Sequence, residues 1–547
     1  MAASGTLAQA AIRSPAPLIE CFNPATGERL GALPAATPED VAAAVERARV
    51  AQRAWAQSRF AQRRAVLGHL LDHILAHTDE LCAEIVRDSG KTFENALLGE
   101  ILPVCNKLRW LMKNGERHLK PERMPSGLLL HKQGRIEYRP LGVVACILPW
   151  NYPFQNIFAS LAPPLMAGNA VIVKPSEMVA WSTQRFQRIL DEALAKEGFS
   201  PDTVQIINGF GDTGAALVRS RVQKILFIGS VPNGRRIIEG SAEHLTPVIL
   251  ELGGKDPLIV CEDADLEHAV HSALGGCFIN LGQNCIAAER ILLLDGIYDR
   301  FVAEVTRHAA QLRQGVPTAP GTLDVGAMTS PLQVKIVDEL VRDALAHGAR
   351  ALVGGRKPDG PGNFYPPTVL ADVTPDMRIA NEEVFGPVML LMRVQDDEHA
   401  IRLANATAFG LQSSVLSRDA ARAERIAARL EAGATCINDF GLCYLNQDLP
   451  FGGVKHSGFG RMNGRDGLRA YTNAKAVLGD RLPFRIPPKL YPVKPGDYAR
   501  ARATIRLLFA RRWRDRLAAL LSLTPLSFRR RPESSDSKGP GPRLPPG

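Results

Sequence analysis

Three polar side chains set in apolar surroundings carry the chemistry open to this chain. Cys285 lies in Gly282-Gln283-Asn284-Cys285, thirty-four residues after Glu251 in Glu251-Leu252-Gly253-Gly254-Lys255, and Asn151 lies in Pro149-Trp150-Asn151-Tyr152-Pro153. Thiol, carboxylate and amide supply a nucleophile, a base and a donor for a developing oxyanion. A free thiol has a pKa of about 8.5, so only a few per cent is thiolate near neutrality. Attack on a carbonyl makes an alkoxide, for which the Asn151 amide and the Cys285 backbone N–H are the candidate donors; losing one such donor costs about 3–4 kcal/mol. An acyl group left on sulfur must be freed by water. Glu251, flanked by Leu250 and Leu252, is expected to have a raised pKa suited to deprotonating that water. Residue type alone does not select Cys285, because the chain has nine cysteines and cysteine is among the most buried residue types. The local motif and its spacing from Glu251 do.

The elements that must position these groups alternate. Thr37-Pro38-Glu39-Asp40 opens a helix with a hydroxyl cap, proline at the first position and acids in the first turn. Two further helical patterns fill Ala61–Lys113. Short apolar runs follow at Gly142–Leu148, Ala170–Lys174, Val204–Ile207, Ile225–Ile228 and Leu258–Cys261, separated by helical segments. Fully apolar strands between helices predict a parallel sheet covered on both faces, an α/β doubly wound architecture.

Two of these strands end in ligand-like turns. Ile225–Ile228 runs into Gly229-Ser230-Val231-Pro232-Asn233-Gly234 and a helix over Arg235–Glu239, which presents backbone N–H groups to a pyrophosphate. The spacing is not Gly-x-Gly-x-x-Gly, and a plain strand-to-helix turn fits it as well. Val171-Ile172-Val173-Lys174-Pro175-Ser176-Glu177 places a cation and a carboxylate past another strand. A carboxylate there accepts both ribose hydroxyls and repels a 2′-phosphate, which favours NAD over NADP; a surface Lys–Glu pair is the plainer alternative.

With 547 residues, two or three domains are expected, and 46% hydrophobic with 22% charged residues is ordinary for a globular enzyme. No Cys-x-x-Cys occurs, so neither a disulfide framework nor a metal site is indicated, and free thiols suit the cytoplasm. No secretory signal or membrane-spanning run is evident. The charge is uneven. Residues 499–531 hold ten arginines against one acid, Asp515, while the rest carries 56 basic and 55 acidic residues.

The three catalytic segments resemble the aldehyde dehydrogenase superfamily, and the likeness runs from about Phe22 to Val477. It implies an aldehyde dehydrogenase-like α/β fold: a Rossmann-type NAD-binding domain (1–118 and 141–251), an α/β catalytic domain (252–467) and a small β oligomerisation element (119–140 and 468–482). A basic extension (483–531) and a disordered tail (532–547) would follow. The implied activity is NAD-dependent oxidation of an aldehyde to a carboxylic acid through a thiohemiacetal and thioester on Cys285, with Glu251 activating water and Asn151 donating to the oxyanion. By the same resemblance Lys174, Ser176 and Glu177 hold the adenosine ribose, and Gly229 and Ser230 meet the pyrophosphate. Asn381-Glu382-Glu383-Val384-Phe385-Gly386-Pro387-Val388 matches a signature in which Glu383 binds the nicotinamide ribose and Phe385 packs near the nicotinamide; Trp150 and Leu252 complete the cofactor set. The run Met178-Val179-Ala180-Trp181 and Ile228 depart from the usual pattern, so NADP stays open beside NAD. Pro450–Gly458 matches a loop that closes the substrate side. Gly134–Arg139 and Leu468–Val477 match strands that pair subunits, implying a homodimer or homotetramer.

The tail is the departure. Ala499–Leu523 reads as a helix with Ile505, Phe509, Trp513 and Leu517 every fourth residue, interrupted by Arg512 and Arg516. Peripheral attachment of residues 499–531 to an anionic membrane surface, at about 1 kcal/mol per basic side chain, competes with a helix docked on the protein body. Nucleic acid is not expected as a partner, since stacking aromatics are lacking. Two rival functions remain: a CoA-acylating dehydrogenase, against which Glu251 argues, and a non-catalytic surface-binding scaffold, against which the intact trio argues.

Overall fold

The computed structural model describes residues 17–483 and 491–523. They form two compact units: 17–125 with 134–478, and a smaller one of 126–133 with 479–483 and 491–523. The expectations for residues 1–16, 484–490 and 524–547, including the disordered tail, lie outside the described residues.

In the larger unit, helix Pro38–Ala56 begins where the sequence places it. The Thr37 hydroxyl accepts from the Asp40 N–H at 3.2 Å while the Asp40 carboxylate accepts from the Thr37 N–H at 3.0 Å, a reciprocal capping box. The stretch expected as two helical patterns folds instead as three α-helices, Phe60–Ala76, Thr78–Ser89 and Leu102–Leu119. The chain turns at His77, and again at Gly90, whose φ of +80° ends a helix in the left-handed region. A short helix, Phe93–Ala96, and a π-turn, Leu97–Ile101, then lead into the last helix.

A six-stranded sheet runs in the order Gly458–Phe459, Val248–Leu252, Lys224–Gly229, Val143–Ile147, Ala170–Lys174, Val204–Ile206, with only the Gly458–Phe459 edge antiparallel. Alternate residues feed separate cores. Val144, Cys146, Val171, Val173 and Leu226 pack on one face; Val143, Ala145, Ile147, Ala170, Ile172 and Ile225 pack on the other. Burial on both faces is what makes these strands read as unbroken apolar runs. Strand Val143–Ile147 has its successor on one side and Lys224–Gly229 on the other, so the direction of winding reverses between them. That is the crevice where open α/β sheets bind ligands.

A seven-stranded sheet, Arg350–Val353, Thr368–Ala371, Val388–Val394, Arg290–Leu294, Pro257–Val260, Gln412–Leu416, Ala434–Ile437, encloses the largest apolar core and is parallel apart from its first pairing. Glu122–Met124, Lys132–Pro140 and Thr472–Asp480 make a third, three-stranded sheet.

In the smaller unit the extension is two helices, Asp497–Phe509 and Trp513–Leu523, packed on each other. The single helix expected over Ala499–Leu523 is broken at Ala510, whose ψ of 135° is extended. Ala503 and Ala519 are the buried residues of the pair. Ile505, Phe509, Trp513 and Leu517 all remain exposed. Among the described residues no helix is long and apolar enough to cross a membrane.

Candidate active site

Four parallel strands deliver site residues from the same edge of the six-stranded sheet. Val143–Ile147 leads to Trp150 and Asn151, Ala170–Lys174 to Ser176 and Glu177, Lys224–Gly229 to Ser230, and Val248–Leu252 ends on Glu251 and Leu252. Cys285 comes from the irregular turn preceding Arg290–Leu294.

Two cavities meet at these residues. The first, of about 200 Å³, has mostly apolar walls that include Leu98, Ile286, Phe440, Tyr444, Phe451 and Met462. The second, of about 220 Å³, is lined by Trp150, Gly229, Ser230, Gly253, Glu383 and Phe385. Asn151, Ile228, Glu251 and Cys285 line both. The second cavity thus lies at the switch in winding, between the turns that follow Val143–Ile147 and Lys224–Gly229.

The trio is tightly held. Asn151 is buried; its Nδ2 donates to the Gln283 carbonyl at 3.1 Å and its Oδ1 accepts from Asn156 Nδ2 at 3.1 Å. Glu251 is 2% exposed, and its Oε1 has no hydrogen-bond partner. Burial pushes its carboxyl up to about 7, opposed by a hydrogen bond from Cys285. The Cys285 thiol is pushed well above its ordinary value, by burial first and then by the Glu251 carboxylate beside it. The carboxylate therefore raises the thiol while the thiol's hydrogen bond partly offsets the rise of the carboxyl, and at rest the sulfur keeps its proton. A cavity lined by groups with such displaced pKa values marks a functional site.

The two glycines after Glu251 have steric reasons. A Cβ on Gly253 would lie 2.2 Å from Glu383 Oε2, and one on Gly254 would lie 2.6 Å from the Cys285 carbonyl oxygen. Their absence lets the Gly254 N–H donate to Glu383 Oε1 at 3.0 Å. Trp150 meets Phe385 edge to face at 5.4 Å between centroids.

Lys174, Ser176, Glu177 and Leu252 are not on either cavity wall. Lys174 Nζ is 3.7 Å from Glu177 Oε2, and Ser176 Oγ donates to the same oxygen at 3.3 Å, so these three form their own group at the end of the neighbouring strand. The Leu252 side chain is buried in a core cluster, where it would meet a Cβ on Gly234 at 2.9 Å. Trp181 packs beside the Leu18–Phe22 ribbon with the Arg87 guanidinium 5.1 Å from its ring.

The residues that hold this site escape sequence reading. Lys91 and Glu100 form a buried ion pair at 2.5 Å; Lys91 Nζ also donates to the Asn151 carbonyl, and Glu100 Oε2 accepts from the Phe154 and Gln155 N–H groups. Asn280 Nδ2 donates to the same Asn151 carbonyl at 2.9 Å. A second buried pair, Lys255 with Glu289, sets the other wall: Glu289 accepts from the Val384 and Phe385 N–H groups at 3.0 Å. Lys107 is a buried cation on the first cavity whose ammonium donates to Asn463 Oδ1, and burial lowers it to about 7. A lysine or glutamate in a charged stretch looks solvated until its partner is known.

A thiol, a base and an amide between an apolar cavity and a crevice at a sheet's switch point is the arrangement of an enzyme that works on a carbonyl. The aldehyde dehydrogenase family model matches residues 12–477. An aldehyde dehydrogenase-like protein of Schizosaccharomyces pombe is 39% identical over 491 residues, covering 88% of this chain and 94% of that one. A succinate-semialdehyde dehydrogenase [NADP(+)] of Deinococcus radiodurans is 36% identical over 455 residues, covering 83% and 93%. The NAD+ complex of an aldehyde dehydrogenase from Bacillus cereus superposes with a TM-score of 0.81 at 33% identity, covering 85% of this chain and 94% of that one. The chain belongs to the aldehyde dehydrogenase family, enzymes of aldehyde oxidation, and has that family's α/β fold.

Proposed function

We propose that this protein oxidises an apolar aldehyde to its carboxylic acid, with NAD as cofactor, through covalent catalysis at Cys285. The observation that carries the reading is the wall shared by two cavities, where Asn151, Glu251 and Cys285 face both. The aldehyde enters the apolar cavity. Cys285 sulfur bonds to the carbonyl carbon as Glu251 takes the thiol proton, which a carboxyl poised at about 7 accepts near neutral pH. The new oxyanion is met by Asn151 Nδ2 and the Cys285 N–H.

The second cavity fits a dinucleotide on its own features. Helix Val231–Ser241 starts from Ser230 with no side-chain cap, leaving its N-terminal N–H groups for a phosphate, and Ser230 itself is exposed. Ser230 and Gly229 would hold the pyrophosphate, Lys174, Ser176 and Glu177 the adenosine ribose, and Glu383 the other ribose, with Trp150 and Phe385 around the ring and Leu252 reaching it through its main chain alone. Bound there, NAD would supply the hydride acceptor. Glu251 passes the thiol proton to solvent before the second step, in which water attacks the acyl carbon, its proton goes to Glu251, and the C–S bond breaks with its electron pair left on sulfur. The unpartnered Glu251 Oε1 is the atom available to that water. The Bacillus cereus relative is an NAD+ complex and the Deinococcus radiodurans relative is named for NADP+, so both cofactors enter the test.

A panel of aliphatic and aromatic aldehydes with NAD or NADP, with and without CoA, tests this. Reduced cofactor is expected without CoA, and none in Cys285→Ser. Turnover only with CoA would make the enzyme acylating, and no turnover with any aldehyde would leave a scaffold.

We also assign residues up to 118 with 141–251 to cofactor binding, 252–467 to catalysis, and the three-stranded sheet to pairing of subunits into a dimer or tetramer. The exposed strand Thr472–Asp480 supports the last. The helical pair of the extension is assigned to an anionic membrane surface: Tyr498, Ile505, Leu508 and Phe509 fall on one face of the first helix, flanked by Arg502 and Arg506. Vesicles containing phosphatidylserine should pellet the full chain and not a chain ending at Pro483; equal pelleting would remove the assignment.

A further inference from the structure

Among the described residues, a pair of thiols is in contact away from the trio. Cys436, buried in strand Ala434–Ile437, has its sulfur 3.2 Å from that of Cys443, which is half-buried in the turn Leu442–Leu445; both are free thiols. The other seven cysteines are free as well. The six residues between the two form a tight reversal, with Asn438 at φ +53° and Gly441 at φ +74°. This reversal is a wall of the aldehyde cavity. Phe440, Gly441, Tyr444 and Leu445 line it, and Phe440 and Tyr444 pack with Ile286, the residue after the nucleophile.

We propose that Cys436 and Cys443 are a second thiol site, a dithiol that a hydroperoxide converts reversibly to a disulfide, reshaping the cavity wall and with it the enzyme's affinity for its aldehyde. The sulfurs are already closer than ordinary packing requires, but a disulfide needs about 2.05 Å between them, so the bond draws the turn inward by about 1 Å. Cys443 is the more exposed sulfur and accepts the S–H of Cys436, so it is the one a peroxide reaches first. It attacks the peroxide, the O–O bond breaks, and a sulfenic acid forms as water or an alcohol leaves. Cys436 sulfur then displaces water from that sulfur. Two thiols lose two protons and two electrons, the peroxide oxygens take them, and a dithiol reductant reverses the change.

The affinity arm of this inference rests on the aldehyde oxidation proposed above; the bond itself does not, and the experiment separates them. Full-length Cys285→Ser, which keeps the eight other cysteines, is treated with hydrogen peroxide and examined by intact mass and peptide mapping. A loss of about 2 Da, assigned to a bond between residues 436 and 443 and restored by dithiothreitol, is expected. Oxygen addition alone, or a disulfide elsewhere, would overturn the site. In active protein the oxidised form should show a severalfold change in aldehyde KM that dithiothreitol reverses, and Cys443→Ser should lose that reversible component. A reversible change of equal size in Cys443→Ser would overturn the link to the cavity.

Discussion

The ammonium of Lys91 lies 2.9 Å from the carbonyl oxygen of Asn151, so the backbone of the proposed oxyanion donor is fixed by a buried cation sixty residues upstream. The same ammonium neutralises Glu100, which caps two N–H groups at the start of helix Pro153–Met166.

Lys91→Met strips the charge and leaves Glu100 buried alone, which should cost about 3–5 kcal/mol of stability. The double variant with Glu100→Gln should regain much of that in urea unfolding. Its kcat should stay depressed, because the Asn151 carbonyl has lost one of its two donors and keeps only the Asn280 amide. Full recovery of kcat would show that the pair serves folding alone.

Asn151→Ala removes the amide that lines both cavities. A fall in kcat of about 10²–10³-fold is expected, with a smaller change in KM, from steady-state kinetics on one good aldehyde. A KM effect alone would mean that the amide holds substrate and not the transition state.

Glu251 sets the pH behaviour. Activity should rise with pH as the carboxyl ionises, through an apparent pKa of about 7, and that limb should vanish in Glu251→Gln. Because Glu251 serves both steps, the variant should slow the first turnover of reduced cofactor as well as the steady state, with any acyl-enzyme that does form persisting by mass. For stability the sign is the opposite. The folded value of about 7 lies above the ordinary 4.5, so between those pH values the native state binds more protons than the unfolded state. The stabilisation is complete below 4.5 and is lost as pH rises through 7. Against wild type, Glu251→Gln should gain up to roughly 3 kcal/mol at pH 8 relative to pH 4.

Glu177→Gln tests cofactor choice. With the carboxylate gone, the preference for NAD over NADP, measured as a ratio of kcat/KM values, should fall about tenfold, a change near 1.4 kcal/mol. An unchanged ratio would move the discrimination elsewhere.

The elements were the more legible part. Ala170–Lys174 is a strand at its predicted ends, and Val143–Ile147 and Val204–Ile206 fall within one residue of theirs, because strands buried on both faces are mostly apolar and stand out from the polar turns that bound them. The Thr37 cap was readable because its partners are adjacent in the chain. Chain breaks were harder. The π-turn at Leu97–Ile101 has no residue signature, and the extended backbone at Ala510 follows no glycine or proline. Hardest were ion pairs such as Lys255 with Glu289, where each charge alone suggests a solvated surface and only the fold brings the partner within reach. Cys436 and Cys443 were hidden for a similar reason, since a seven-residue spacing matches no thiol motif until the reversal between them is known.

At Gly254 the Cys285 carbonyl oxygen lies 2.6 Å from where a Cβ would stand, so a main-chain contact, beside the packing of Phe451 and Met462, holds the proposed nucleophile. Recutting the apolar chamber at Leu98, which lies outside the cluster that packs with Cys285, can exchange one aldehyde for another while the sulfur stays where it is. Specificity and reactivity are separable design variables in this enzyme.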